Sequence, residues 1–167
     1  WERWLVFMKA VYGLSLSDSE TEFFCERTGR NRYDPPPGGW ADAIAVVGRQ
    51  AGKSRAASAI AAYSALFTDP PGPGTYYVVA VAQDHRAAQR VLRSYLGEFF
   101  DYSPLLRREV ERETTDTIAL RSGVSLAAYP CRPSSVRGLR TLCAIVDEVA
   151  HFRSTEGRPL DAEMIAA

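Results

Sequence analysis

One segment of the sequence has the residue types and spacing that bind phosphate. Residues 47–54 read Val-Gly-Arg-Gln-Ala-Gly-Lys-Ser and end in the Gly-Lys-Ser triplet of a phosphate loop. In such a loop, backbone N–H groups and a helix N-terminus surround an anion, while Lys53 reaches the β- and γ-phosphates and the Ser54 hydroxyl ligates Mg²⁺. Val47 stands where the usual pattern has its first glycine, so a chance Gly-Lys-Ser in a surface loop is the alternative interpretation.

A second segment whose residues could take part in a reaction lies about ninety residues further along the chain. The apolar run 142–146 ends in two adjacent carboxylates, Asp147 and Glu148. In enzymes with a phosphate loop, the first acid holds the water shell of Mg²⁺ and the next orients or deprotonates the attacking water. A helix cap is the alternative for this pair alone. Its order and distance after the loop favour a nucleoside triphosphatase with a catalytic glutamate.

The elements that must position these residues follow a strand–helix pattern. Three apolar runs do not alternate with polar residues, which is typical of strands covered on both faces. These runs are residues 43–47, 75–82 and 142–146. Helical patterns over 55–67 and 84–100 follow the first two runs, and residues 117–120 and 124–129 predict an antiparallel hairpin. We therefore expect an α/β fold with a mainly parallel sheet flanked by helices.

The first 39 residues have a different pattern. Apolar residues recur at helical spacing over 1–14 and predict a helix that ends at Gly13. A second helix is predicted from Ser17 or Asp18 to Thr28. Residues 34–39 read Asp-Pro-Pro-Pro-Gly-Gly, which cannot continue a helix. We therefore divide the chain into an N-terminal helical segment with a Pro/Gly linker, residues 1–39, and a phosphate-loop ATPase core, residues 40–167.

Composition excludes several other classes of protein. The 167 residues are 46% hydrophobic, and 20 basic residues balance 20 acidic ones, so the chain can bury a core and is not a general polycation. No apolar run reaches the roughly eighteen residues that a membrane-spanning helix needs. Three widely spaced cysteines and two histidines do not form the pattern of a disulfide framework or a zinc site.

Taken together, these segments resemble the large terminase subunits of tailed bacteriophages, the motors that pump DNA into capsids. The phosphate loop of that family is Arg-Gln-x-Gly-Lys-Ser/Thr, which residues 49–54 match in full. Residues 78–90, 135–139 and 145–152 are also similar to the corresponding segments of these motors. The resemblance covers about residues 40 to 155.

The resemblance implies a role for each matched residue. The residues that would contact the phosphates of ATP are Gly48, Gln50, Ala51, Gly52, Lys53 and Ser54. Ser54 and Asp147 would hold Mg²⁺, and Glu148 would activate water. Arg49 would stabilise the γ-phosphate in the same subunit, and Arg137 would enter the ATP site of the adjacent subunit. As alternatives, Arg49 faces solvent or pairs with an acid, and Arg137 pairs with a local acid or binds the DNA backbone.

Adenine recognition follows the family pattern less closely. The similar motors use a glutamine-containing contact before the phosphate loop, and residues 1–47 contain no glutamine. Residues 30–37 are the candidate for this contact, with Tyr33 either stacking on the base or packing in the interior.

The resemblance also implies a fold and a setting. It implies a phosphate-loop NTPase of the glutamate (ASCE-like) type that works as a homo-oligomeric ring on the capsid, in the cytoplasm of the infected bacterial host or lysogen. Its partners would be double-stranded DNA, the portal protein and the small terminase subunit, with no membrane. Two other functions stay open: a non-catalytic nucleotide-binding or assembly fragment, and another phosphate-loop DNA translocase such as a helicase.

Terminase large subunits continue into a nuclease domain, and this sequence ends soon after Glu148. We therefore expect the nuclease to be absent. We also expect the sheet to be incomplete at the C-terminus, because the strand that couples hydrolysis to motion follows the two carboxylates in such motors. A fragment of this kind would hydrolyse ATP weakly or not at all.

Overall fold

The structure is a computed structural model that describes residues 1–147 and residue 149. These residues form two compact units, one over Trp1–Ala56 and one that begins at Ala57. Glu148, the predicted catalytic acid, lies outside the described residues. The division predicted between residues 39 and 40 stays a prediction.

The first unit begins with the two predicted helices, α1 (Glu2–Val11) and α2 (Asp18–Thr28). Ser17 and Glu20 form a capping box at the start of α2: the Ser17 Oγ accepts from the Glu20 N–H at 3.3 Å, and Glu20 Oε2 accepts from the Ser17 N–H at 2.9 Å. Gly29 ends α2 in the left-handed conformation, with φ of +69°. Both helices are confirmed, because their start and stop signals are local.

An apolar cluster and one ion pair join α1 to α2. Val6, Ala10 and Phe24 are the buried members of the cluster. Lys9 Nζ donates to Glu20 Oε1 at 2.6 Å, so Glu20 both caps α2 and contacts α1. The hydrogen bond from Lys9 is the main reason why the pKa of Glu20 lies below its usual value.

The Pro/Gly linker packs against the C-terminal end of α1. The Trp40 N–H donates to the Val11 carbonyl at 2.8 Å, and the Arg30 guanidinium lies 4.3 Å from the centre of the Trp40 ring. Between these contacts, Gly39 approaches the backbone so closely that a Cβ atom at this position would collide with the Val11 carbonyl oxygen and with Tyr12. The glycine at position 39 is therefore a packing requirement as well as a turn residue.

Gly39→Ala is expected to lower the free energy of unfolding of this unit by about 2–4 kcal/mol, because it adds the collision to the strain of a φ of +92°. Gly38→Ala is the matched control: its φ is +83°, but nothing lies within 4 Å of the added Cβ, so only about 1 kcal/mol is expected. Urea denaturation followed by circular dichroism measures both losses. Equal losses would contradict the close approach at Gly39.

The second unit contains a five-stranded mixed sheet. Its strands are β1 (Tyr76–Ala82), β2 (Val110–Glu113), β3 (Thr117–Leu120), β4 (Val124–Pro130) and β5 (Thr141–Val146). The order across the sheet is β2-β3-β4-β1-β5. Strand β1 is parallel to both β4 and β5, whereas the β2–β3 and β3–β4 pairs are antiparallel. The α/β class and the hairpin are confirmed. The predicted parallel part of the sheet is present in β4, β1 and β5, but the sheet is mixed because β3 runs antiparallel to both of its neighbours. The charged segment 107–113 supplies the strand β2 and so extends the antiparallel part.

Helices cover both faces of the sheet, and all but the last pack on the face that carries Val78 and Leu126. The helical elements are α3 (Lys53–Phe67), α4 (His85–Arg90), a π-helical segment (Val91–Gly97), α5 (Glu98–Tyr102), α6 (Pro104–Arg107) and α7 (Pro133–Val136). Small side chains such as Ala61 and Ala65 of α3 are almost fully buried in the main core. The helices predicted at 55–67 and 84–100 are thus present, the second with the π-helical segment in its middle. None of the helices in the described part of the chain is long and apolar enough to cross a membrane.

The strand predicted over residues 43–47 is wrong. These residues are not part of any ladder among the described strands, and Ile44 and Val46 are 88% and 94% exposed. An extended apolar segment becomes a strand only where a neighbour completes its backbone hydrogen bonds. No described strand supplies that neighbour, so high strand propensity has no effect here.

Candidate functional site

The loop over residues 47–54, here called the candidate phosphate loop, has an unusual backbone. Gln50 and Gly52 have φ of +59° and +81°, and Ala51 between them does not have a positive φ. Gln50 is the one non-glycine residue with positive φ among residues 1–147 and 149. Alternation of left-handed and ordinary conformations turns successive N–H groups toward one side, which is the geometry of an anion-binding nest. The backbone therefore fits an anion at this loop.

Helix α3 starts directly after Gly52. Its first two residues are Lys53 and Ser54, both half-buried, and the Ala56 N–H donates to the Gly52 carbonyl at 3.0 Å to close the first turn. The first turn contains no acidic residue, so the positive end of the helix dipole is not neutralised from within the helix. The structure thus places Lys53 and Ser54 at a helix N-terminus, where an anion is favoured.

Two other residues assigned to this loop are exposed. Gly48 has open space around the position where a Cβ atom would stand. The side chain of Arg49 is exposed and forms no ion pair within the described part of the chain. The alternative in which Arg49 pairs with an acid therefore has no support among these residues.

The candidate phosphate loop contacts α1 through Trp4, a residue that the sequence did not single out. The Trp4 indole N–H donates to the Ala51 carbonyl at 2.6 Å, and the Trp4 ring meets Phe7 edge to face at 5.6 Å. A shallow cleft of about 320 Å³ lies beside this contact. Its lining residues are Trp1, Trp4, Gln50, Ala51, Gly52 and Arg55. Because 47 positions separate Trp4 from Ala51, no local pattern could have revealed the contact.

Tyr33 is a packing residue of the first unit. Its hydroxyl donates to the Leu14 carbonyl at 2.8 Å, and its ring lies edge to face against Phe24 at 5.0 Å. Burial raises the pKa of the phenol. Of the two interpretations of Tyr33, the structure supports packing in the interior.

In the second unit, Asp147 lies at the edge where three parallel strands end. Its N–H donates to the Val81 carbonyl of β1 at 3.0 Å, directly after β5 ends. On the other side of β1, the Cys131 N–H donates to the Ala82 carbonyl at 2.9 Å, directly after β4 ends. Asp147 is half-buried. It thus occupies the carboxyl edge of the sheet, where α/β enzymes bind ligands.

The segment around Arg137 is anchored on both sides. Val136 and Leu139 pack against the cluster of Val79 and Val81 on the second face of the sheet. Between these anchors Arg137 is exposed, and within the part of the chain that the structure describes it forms no ion pair. The alternative of a local acid therefore has no support among these residues, and the side chain is accessible to an outside partner.

The candidate phosphate loop lies in the first unit and Asp147 in the second. Their predicted meeting at one site stays a prediction, as do the roles assigned to the individual residues.

Comparison with known proteins places both segments in one family. The profile of the family described as "Terminase large subunit, T4likevirus-type, N-terminal" matches residues 44–156, about two thirds of the chain. A search of curated proteins finds no match. The matched range begins just before the candidate phosphate loop and ends beyond the two carboxylates. The chain belongs to the T4-like family of phage terminase large subunits, and it corresponds to their N-terminal region.

Proposed function

We propose that this protein binds and hydrolyses Mg-ATP and that hydrolysis drives double-stranded DNA into a phage capsid. Family membership supports a role in phage DNA packaging. The observation that carries the nucleotide proposal is the candidate phosphate loop itself. Its nest-like backbone leads directly into the N-terminus of α3, and Lys53 is the first residue of that helix.

The residues of the loop fit the phosphates of ATP. The N–H groups of Gln50, Ala51 and Gly52 would bind the anion, and Lys53 would neutralise the charge on the β- and γ-phosphates. Ser54 and Asp147 would hold Mg²⁺, which would offset the charge that develops on the phosphates during hydrolysis.

Three further residues would act on the reaction. Glu148 would orient the attacking water and accept its proton. Arg49, within the loop, would stabilise charge on the γ-phosphate in the same subunit, because its side chain is exposed and forms no ion pair among the described residues. Arg137 would supply a second cation to the site of a neighbouring subunit.

The proposed setting is a homo-oligomeric ring on the capsid in the cytoplasm of the infected bacterium. DNA, the portal protein and the small terminase subunit would be its partners. Asp147 and Glu148 would not be available for nuclease chemistry, because both would serve the ATP site.

A second candidate function, nucleotide binding without turnover, is favoured by one observation. Residues 43–47, which precede the candidate phosphate loop, pair with no described strand, and Val46 is 94% exposed. A loop without an anchored strand before it can bind an anion but positions the reacting groups less well. This candidate predicts binding of Mg-ATP by the 167-residue chain with little hydrolysis.

The lysine content of the chain allows a sharp test of nucleotide binding. The sequence contains two lysines, Lys9 and Lys53, and Lys9 is paired with Glu20. An ATP derivative with an acyl group on its terminal phosphate transfers that acyl group to a nearby amine and releases ATP. We expect mass spectrometry to find the acyl group on Lys53, and we expect excess ATP to suppress this labelling. Equal labelling of both lysines that ATP does not suppress would overturn the proposal.

Lys53→Ala is expected to weaken Mg-ATP binding at least tenfold, because it removes a charge-assisted contact to the phosphates. Isothermal titration calorimetry of the 167-residue chain measures the affinity. Lys9→Ala is the control, since it removes the other lysine and only its ion pair with Glu20, and the affinity is expected to stay unchanged. A similar affinity for Lys53→Ala and the unmodified chain would remove Lys53 from the site.

A further inference from the structure

The hydrogen bond between Trp4 and Ala51 links α1 to the candidate phosphate loop. The N–O distance is 2.6 Å, and the Trp4 ring is half-buried with Phe7 against it. Helix α1 is itself fixed by the buried residues Val6 and Ala10. The indole is therefore held by a packed helix and does not depend on the loop for its position.

This bond determines the direction of one N–H group of the loop. In a trans peptide the C=O and N–H bonds point to opposite sides. The Ala51 carbonyl and the Gly52 N–H belong to the same peptide plane, and the carbonyl points to Trp4. The Gly52 N–H is therefore directed away from Trp4.

Without this bond, the peptide plane between Ala51 and Gly52 has little to hold it. Glycine adopts positive and negative φ with similar ease, and Gly52 is exposed. A rotated plane would present the Ala51 carbonyl oxygen in place of an N–H group, and a carbonyl oxygen repels an anion.

We propose that Trp4 is a positioning residue of the candidate phosphate loop, which keeps the Gly52 N–H directed for phosphate binding. The inference rests on the proposed function of the loop and deepens it, because it assigns nucleotide affinity partly to α1. Trp4 does not contact the nucleotide in this proposal; it acts through the peptide that follows Ala51.

Trp4→Phe tests the inference, since it keeps an aromatic ring against Phe7 and removes the indole N–H. We expect Mg-ADP affinity, measured by calorimetry, to fall about tenfold. Trp40→Phe is the matched control. The Trp40 indole nitrogen is buried and has no partner among the described residues, so its removal leaves no acceptor unpaired, and affinity is expected to stay within twofold. Equal affinities for Trp4→Phe and the unmodified chain would overturn the inference.

Nuclear magnetic resonance supplies a readout that does not require nucleotide, and its first part needs only the unmodified chain. In the unmodified chain, the Trp4 indole N–H is expected to exchange with solvent more slowly than that of Trp1, which is 67% exposed. The Gly52 amide resonance is expected to move in Trp4→Phe and not in Trp40→Phe. Equal exchange of the two indoles, or an unmoved Gly52 resonance, would overturn the role of Trp4. Failure of the proposed function gives a different result: Lys53 would not be labelled, while the Gly52 resonance would still respond to Trp4.

Discussion

Glu148→Gln in the complete terminase subunit is expected to preserve ATP binding and to lower ATP turnover by a factor of about 10² to 10⁴. The amide keeps the shape of the side chain but cannot accept a proton from the attacking water. Steady-state hydrolysis and calorimetric binding of Mg-ATP, measured on the same preparation, separate the two effects.

Glu111→Gln is a suitable control for this experiment, because Glu111 is an exposed carboxylate on β2. It removes the same charge at a position outside the proposed site, and turnover is expected to stay unchanged. Unchanged turnover in Glu148→Gln would remove Glu148 from the mechanism. Weakened ATP binding in Glu148→Gln would instead point to a binding role.

Arg137→Ala is expected to lower turnover by about a thousandfold in the assembled motor, because a cation supplied by a neighbour stabilises the charge that develops on the transferred phosphate. The structure supports this expectation in one respect: Arg137 is exposed between two packed residues, Val136 and Leu139. Its backbone is held while its side chain is accessible. Arg132→Ala, in the same connection between β4 and β5, is the control for a general loss of positive charge.

Mixed assemblies show whether Arg137 acts between subunits. Subunits with Arg137→Ala are combined with subunits that carry Glu148→Gln. Activity is expected only at interfaces where an intact arginine meets an intact glutamate. If isolated monomers and assembled rings lose activity to the same extent, Arg137 acts within its own subunit and this proposal is wrong.

Local signals were sufficient for the parts of the fold that depend on near neighbours. The capping box of Ser17 and Glu20 and the left-handed Gly29 involve contacts over three or four residues, so the sequence predicts α2 closely. The hairpin around residues 121–123 is also local, since its turn lies between two short apolar segments.

Features that depend on distant partners were not predictable in this way. Residues 43–47 have the composition of a buried strand, but a strand forms only with a neighbour, and none of the described strands pairs with them. Strand β2 shows the reverse case. Its charged sequence Val-Glu-Arg-Glu is a strand because β3 supplies the ladder. Its position at the edge of the sheet leaves Glu111 and Arg112 in water, while the half-buried Glu113 pairs with Arg107.

The candidate site shows the same contrast between features set by local signals and features set by distant partners. The residue types of the loop and their position at the start of α3 follow from sequence, because a Gly-Lys-Ser triplet before a helical pattern is a local signal. The positive φ of Gln50 does not follow from its residue type, which seldom adopts that conformation. The hydrogen bond from Trp4 does not follow either, because it joins residues 47 positions apart.

A crystal structure of the complete subunit with Mg²⁺ and a non-hydrolysable ATP analogue tests the central claim most directly. The claim is that the candidate phosphate loop and the carboxyl edge of β5 form one ATP site. The structure is expected to show Lys53 within hydrogen-bond distance of the terminal phosphates, and Ser54 and Asp147 bound to one Mg²⁺ directly or through water. A nucleotide bound away from residues 47–54, or an Asp147 on the opposite side of the sheet from Lys53, would contradict it.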